Sequence, residues 1–345
     1  MKPMTKLYLF SLMALLLAGQ KSFAQTAPLW VTNAEAAFPA GQWLCVVESA
    51  RDRNTAQSNA INALARVFRT DVEAMSSAYQ SFAQVVTESG NKKIATFTEN
   101  QNFAQDVKTA SNVSGLIGVQ SDYWTARDGT VYANARMNRQ ECAARYSAMI
   151  GENERVIRLL KEEAARSPAS FDAFESLSFA VNVAMVTDNF QSLLVVLDPQ
   201  ATSLRPEYGN ADTVRTLAQN AARAIVITVK VEGDVNGRIA KAFAAFFTKK
   251  GFRTNTAGAN SYLLSAALEL EDVDSSNRNK FVRYLLTASV ENKSGKEVFS
   301  YSGNDREGHA SASEARQRAL RAAEASIGTE GFAKEFDAYL ESLLK

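Results

Sequence analysis

The sequence predicts an α+β protein: two small sheet-plus-helix domains joined by a helical connector, behind an N-terminal signal peptide. Three observations predict it. Apolar or alternating runs of strand length occur in two separate regions, each beside an amphipathic helix. The stretch between them carries only helical periodicity. The first two dozen residues have the layout of an export leader.

In that leader, Lys2 and Lys6 precede an apolar run from Leu7 to Ala18. Ser22-Phe23-Ala24 then places small residues at the two positions a signal peptidase reads, so residues 1–24 form a signal peptide cut before Gln25. The run is about 12 residues, short of the ~20 needed to span a bilayer. No later stretch reads as a transmembrane segment, and the mature chain is expected to be exported, in the periplasm or at the outer membrane. The 345 residues include 38 basic and 37 acidic ones, a formal net charge of +1. With no basic tail or arginine stripe, nucleic acid is not an expected partner. The length suits two domains, each with its own core, and no repeat of fixed period is present.

The first domain, 25–150, is built on Gln42 to Phe68. Trp43-Leu44-Cys45-Val46-Val47 is apolar throughout and short, as a strand covered on both faces would be. Asn54 and Thr55 offer N-cap oxygens to a helix carrying Ile61, Leu64 and Phe68. Val72 to Val86 reads as a strand, Ser89 to Lys93 as a turn, and Ile94 to Asn112 as extended chain. Gly115 to Met137 is a pair of strands around Asp128-Gly129, a dipeptide suited to the positive φ of a tight hairpin. The mature chain leads in through Pro28-Leu29-Trp30-Val31 and a loop to Pro39.

The connector, 151–205, follows a change of period at Gln140. Tyr146, Met149, Ile150, Asn153, Ile157, Leu160 and Ala164 share one helical face, ended by Ser167-Pro168. Phe171 to Met185 predicts a second helix. Asn189 caps a third, reaching Asp198-Pro199. Arg205 to Asn210 reads as the loop between domains.

In the second domain, 211–345, Ile225 to Val231 alternates as a half-buried strand. Asp234 or Asn236 caps a helix with Ile239, Phe243, Phe246 and Phe247 on one face, stopped at Gly251. Tyr262 to Leu270, Val282 to Val290, and a strand with Val298 and Phe299 follow. Ser311 and Glu314 have capping-box spacing before an alanine-rich helix. A last helix carries Phe332, Phe336, Tyr339, Leu340 and Leu343. The order is β-α-β-β-β-α.

The sequence contains no assembled catalytic, cofactor or metal motif. The sole histidine, His309, reads as a polar loop residue ahead of the Ser311 cap, with no nucleophile elbow for it to serve. Glu269, Glu271, Asp272 and Asp274 form an acidic cluster. Glu269 and Glu271 alternate with Leu268 and Leu270 as a solvated sheet face does, but paired carboxylates also suit glycan hydrolysis or calcium binding. Gly233 to Arg238 is a strand-to-helix turn of a kind that can hold an anion, but without a dinucleotide or phosphate-loop fingerprint it reads as a cap-bearing turn. Cys45 and Cys142 are either a disulfide, as an oxidising compartment allows, or two buried thiols. Trp43 reads as core, whereas Trp30 and Trp124 are the candidate interaction aromatics.

Pro28-x-Trp30-Val31, the strand Gln42 to Glu48 with its helix Ala56 to Phe68, Gly115 to Trp124, Asp128-Gly129 with Tyr132 to Ala135, and the helix with Tyr146 and Asn153 resemble the Lpp-twenty bacterial lipoprotein-like family over residues 28–190. The resemblance implies a periplasmic or outer-membrane location without catalysis. Leu17-Ala18-Gly19 is followed by Gln20, so the lipidated cysteine of such lipoproteins is missing. The second half is similar at the level of fold to small α+β envelope domains. The expected function is that of a non-enzymatic scaffold or assembly component binding other envelope proteins. The alternatives are a peptidoglycan- or glycan-binding module and a carboxylate-dependent glycan hydrolase.

Overall fold

The structure is a computed structural model that describes residues 26–68, 116–203, 206–273, 279–328 and 330–344. The expected signal peptide, the strand expected over Val72 to Val86, the turn after it and the extended Ile94 to Asn112 lie outside these residues. The described chain is α+β, as its patterning predicts, and it divides into two compact units.

The first unit takes residues up to Leu64 together with Val119–Asn138. Two short helices, α1 (Leu29–Thr32) and α2 (Ala34–Ala37), lead into β1 (Trp43–Ala50) and α3 (Arg53–Val67); β2 (Gln120–Thr125) and β3 (Val131–Asn138) follow. The sheet order is β1-β3-β2, antiparallel throughout. The predicted turn holds: Gly129 has φ +84°, and the Thr130 N–H donates to Asp128 Oδ1 at 3.0 Å. The cap of α3 is Asp52 rather than Asn54 or Thr55, since Asp52 Oδ1 accepts the Thr55 N–H at 2.9 Å. The helix is tied to one sheet face where Gln57 donates to Ser121 Oγ at 3.3 Å and where Arg53 stacks 4.0 Å from the Tyr123 ring.

The second unit contains α4 (Arg139–Arg166), α5 (Phe171–Leu197), a 3-10 turn (Pro199–Ser203), α6 (Ala211–Ala224), β4 (Val226–Glu232), α7 (Arg238–Lys249), β5 (Arg253–Asn255), β6 (Tyr262–Val273), β7 (Lys280–Asn292), β8 (Glu297–His309), α8 (Ala312–Gly328) and α9 (Phe332–Ser342). Its sheet runs β5-β4-β6-β7-β8, with β4 parallel to β5 and β6 and the remaining pairs antiparallel. Ile227, Val229, Leu264, Leu268, Leu286, Val290 and Phe299 turn to one side, where they share a core with Phe243, Phe247, Phe332 and Phe336 of the helices. Gly233 is required here: it has φ +75°, and a Cβ on it would lie 2.1 Å from the Leu268 carbonyl oxygen.

Beyond the α3 cap and the two short helices in place of the entry loop, further features differ from the sequence expectations. The helices expected over Phe171 to Met185 and from Asn189 are one helix, α5. No glycine or proline interrupts it, and Val186, Thr187, Phe190 and Leu193 around the expected break are all buried. Burial overrides the capping tendency of Asn189. By length and composition α5 is apolar enough to cross a membrane; in this fold it is a core helix. Helix α6 and the short β5 are additional. Finally, His309 is not in a loop: it is the last residue of β8, opposite Lys280, and its Nδ1 accepts the Ser311 N–H at 3.2 Å.

The first residue of α5 enters the sheet core. Phe171 is fully buried, and its ring stacks on Tyr262 with centroids 3.8 Å apart. It also meets Phe252 at 5.5 Å and Phe336 at 5.3 Å. A helix leaves its first N–H groups without partners; that of Phe171 donates to Tyr262 Oη at 2.9 Å.

Candidate functional site

Among the described residues, the five-stranded sheet has helices over one face and none over the other, where register places the side chains in rows. One row is Lys230, Ser265, Ser289 and Ser300; the next is Glu232, Ala267, Thr287 and Ser302. Cross-strand partners point to the same side of a sheet, so the middle of this face carries small side chains, with a lysine and a glutamate at the β4 end of the rows. A shallow depression of about 460 Å³ follows it, lined by Lys230, Glu232, Ser265, Ala267, Thr287, Ser289 and Ser300. Small side chains let an incoming backbone approach the sheet closely, and their hydroxyls offer both donors and acceptors. The sequence contains this pattern as the second phase of each alternation, Ser265-x-Ala267 and Thr287-x-Ser289. Attention to the apolar phase alone passes over it.

A second concavity lies between α4 and α5. It has a volume of about 410 Å³ and is lined by Ser147, Ile150, Gly151, Glu154, Asp188, Gln191, Ser192, Leu194, Val195, Ala201 and Pro206. Asp188 anchors the chain entering α6: Tyr208 Oη donates to its Oδ1 at 2.7 Å and the Ala211 N–H to its Oδ2 at 2.8 Å. Burial raises the Glu154 carboxyl above the usual carboxylate range, opposed by a hydrogen bond from the Glu207 N–H.

The residues singled out from sequence fall in different places. Trp30 is buried, with 9% of its surface accessible, so it does not present a ring for docking. Trp124 is half-buried against Tyr132, with centroids 6.0 Å apart, and its indole Nε1 is buried without a hydrogen-bond partner. Trp43 is half-buried rather than fully interior and meets the edge of Phe38 at 5.6 Å. The exposed aromatic of this sheet is Tyr123, beneath Arg53.

The candidate disulfide between Cys45 and Cys142 is not formed. Each sulfur has its own surroundings. Cys45 lies in β1 opposite Arg136, where burial raises its thiol pKa and the Arg136 charge opposes the rise. Cys142 Sγ lies 3.9 Å from the Gly118 carbonyl oxygen. It also occupies the space beside Gly118, since a Cβ there would stand 2.8 Å from it.

The acidic cluster is spread out. Glu269 and Glu271 are exposed on the uncovered sheet face, and Glu271 stands opposite Arg283. Asp272 pairs with Arg316 at 3.2 Å, and Asp274 lies outside the described residues. Among the described residues, no group of three or more His, Cys, Asp and Glu is gathered to hold a metal. The strand-to-helix turn is closed by its own side chain: Asp234 accepts the N–H groups of Arg238 and Ala240, both at 2.9 Å. These bonds occupy donors that an anion would otherwise take.

No family model matches the chain, and no curated protein matches it. Among solved structures it is similar to the secreted protein HP1454 from Helicobacter pylori, at 10% identity over 84% of this chain and 98% of that one, with a TM-score of 0.38. It is also similar to a minor lipoprotein from Acinetobacter baumannii, at 10% identity over 34% of this chain and 90% of that one, with a TM-score of 0.26. The lipoprotein GNA1162 from Neisseria meningitidis shares 18% identity over 30% of this chain and 96% of that one, with a TM-score of 0.21.

Proposed function

We propose that this is an exported, non-enzymatic cell-envelope protein that works by binding another envelope protein across the uncovered face of its five-stranded sheet. The observation that carries the reading is the pair of cross-strand rows of small residues, Ser265-Ser289-Ser300 and Ala267-Thr287-Ser302. Here the centre is low, hydroxyl-bearing and bordered by Lys230 and Glu232, a surface suited to close approach by another backbone with charge matching at its margin. The leader built from Lys2, Lys6, Leu7 to Ala18 and Ser22-Phe23-Ala24 supports the export half of the reading.

The test is the double substitution Thr287→Lys with Ser289→Lys, compared with wild type in affinity capture from solubilised envelopes. Both side chains point away from the core, so folding should survive, as circular dichroism would show. Loss of a specific envelope protein from the variant's eluate is the expected result. An unchanged set of captured proteins would refute use of this face.

A further inference from the structure

We propose that the cleft between α4 and α5 is a binding site for a primary ammonium group carried on a short aliphatic chain. The cleft is separate from the sheet face and shares no lining residue with it. Its volume, about 410 Å³, lies at the small end of the ~300–1,000 Å³ typical of ligand pockets. Its wall is mixed. Ile150, Leu194, Val195, Ala201 and Pro206 supply apolar surface, while Glu154 and Asp188 supply two carboxylates, and no lysine or arginine is among the lining residues. Arg158 pairs with Glu207 at 3.5 Å; its charge also favours ionisation of Glu154, but less strongly than burial opposes it. Burial disfavours the charge on Glu154, and a cation entering the cleft relieves that cost. Asp188 is fixed in orientation by Tyr208 and Ala211, and a carboxylate has lone pairs beyond those two bonds.

Gly151 adds a separate clue. It sits inside the 28-residue α4, where glycine is less favourable than alanine. Packing does not require it, since a Cβ built there meets nothing within 4 Å. Its φ is not in the left-handed region either, so the backbone gives no reason for it. What the glycine does is leave the wall of the cleft open beside Glu154. The apolar wall sets the ligand's tail, the carboxylates set its head, and the volume limits it to a small group.

The test is titration of the whole mature chain with n-butylammonium, followed by amide chemical shifts. n-Butanol and butyrate are the controls for tail and charge. Saturable shifts at Gly151 and Gln191 with n-butylammonium alone are expected. Affinity should fall about tenfold or more in Glu154→Gln, through loss of a charge-assisted contact. Gly151→Leu fills the cleft from an exposed helical position and should abolish binding while leaving the thermal midpoint unchanged or raised. It therefore keeps the test valid if Glu154→Gln disturbs the fold. Equal shifts with n-butanol, unaltered affinity in both variants, or no saturable shift with any probe would overturn the assignment. N-acetyl-lysine amide provides the second arm. Tighter binding than n-butylammonium assigns the site to a protein's lysine side chain, and weaker binding assigns it to a free amine; both results support an ammonium site.

Discussion

Phe171 decides whether the long helices and the second sheet form one cooperative body. Replacing it with alanine removes a ring that is fully buried and stacked on Tyr262 at 3.8 Å, with Phe252 and Phe336 at 5.5 and 5.3 Å. Large-to-small changes of this kind cost about 3–5 kcal/mol in a core that cannot collapse around the hole. Aromatic neighbours on several sides place Phe171→Ala toward the upper part of that range. Tyr262→Phe is a finer probe. It keeps the stack and removes the oxygen that accepts the Phe171 N–H, at a cost of about 1–3 kcal/mol for the donor left buried. Urea unfolding followed by far-ultraviolet circular dichroism measures both. A typical domain has only about 5–15 kcal/mol in total, so Phe171→Ala should move the whole helical transition to much lower urea. If it shifts the midpoint by the equivalent of less than about 1 kcal/mol, or if a helical fraction of the signal stays at its wild-type midpoint, the first turn of α5 is not part of the sheet core.

Three further outcomes are expected. Gly233→Ala forces a Cβ to within 2.1 Å of the Leu268 carbonyl oxygen at φ +75°. It should destabilise by about 2 kcal/mol or more, and a thermal scan within 1 °C of wild type would contradict the close approach of that turn to β6. Burial, reinforced by Glu341 and Asp337 and opposed by Lys250, raises Glu175 to about 7. A carboxyl with a raised folded pKa favours the folded state below its unfolded value and loses that contribution as pH rises through the folded one. Stability should therefore decline between pH ~4.5 and ~7, and Glu175→Gln should flatten that part of the profile; an unaltered slope in the variant would count against it. Cys45 and Cys142 should both react with an alkylating agent in denaturant without reductant, adding two labels by mass, whereas no labelling would mean they are bridged.

Much of the second sheet was legible because its strands obey a strict alternation. Tyr262, Leu264, Ala266 and Leu268 all face the core as their spacing predicts, and the Lys293 to Lys296 turn contains Gly295 at φ +75°. The helices were harder to read. Asn189 has the chemistry of a cap, yet Thr187 beside it satisfies its hydroxyl on the Val183 carbonyl one turn back, at 2.7 Å, and the helix continues. Helix α6 has a true cap in Asn210, whose Oδ1 accepts the Thr213 N–H at 2.8 Å, but its apolar stripe is mostly alanine and reads weakly. β5 has three residues, too few for any period to show. His309 lies in a strand because β7 and β8 pair beyond the apolar stretch that marks them. The destination of Phe171 was out of reach, since its partners come from distant parts of the chain and local periodicity carries no such information. The same holds for the sheet face and the cleft. Both depend on which residues register and packing bring together, although the small residues of the sheet face are visible as the polar phase of each strand.

The most direct test of the proposed binding role is a photo-crosslinking amino acid placed at Ser289, in the middle of the uncovered sheet face, and compared in intact cells with the same group at the exposed helix position Gln219. Illumination should give a discrete crosslink to an envelope protein from position 289 and none of that size from position 219. Equal crosslinking from both positions, or none from position 289, would contradict a docking role for this face.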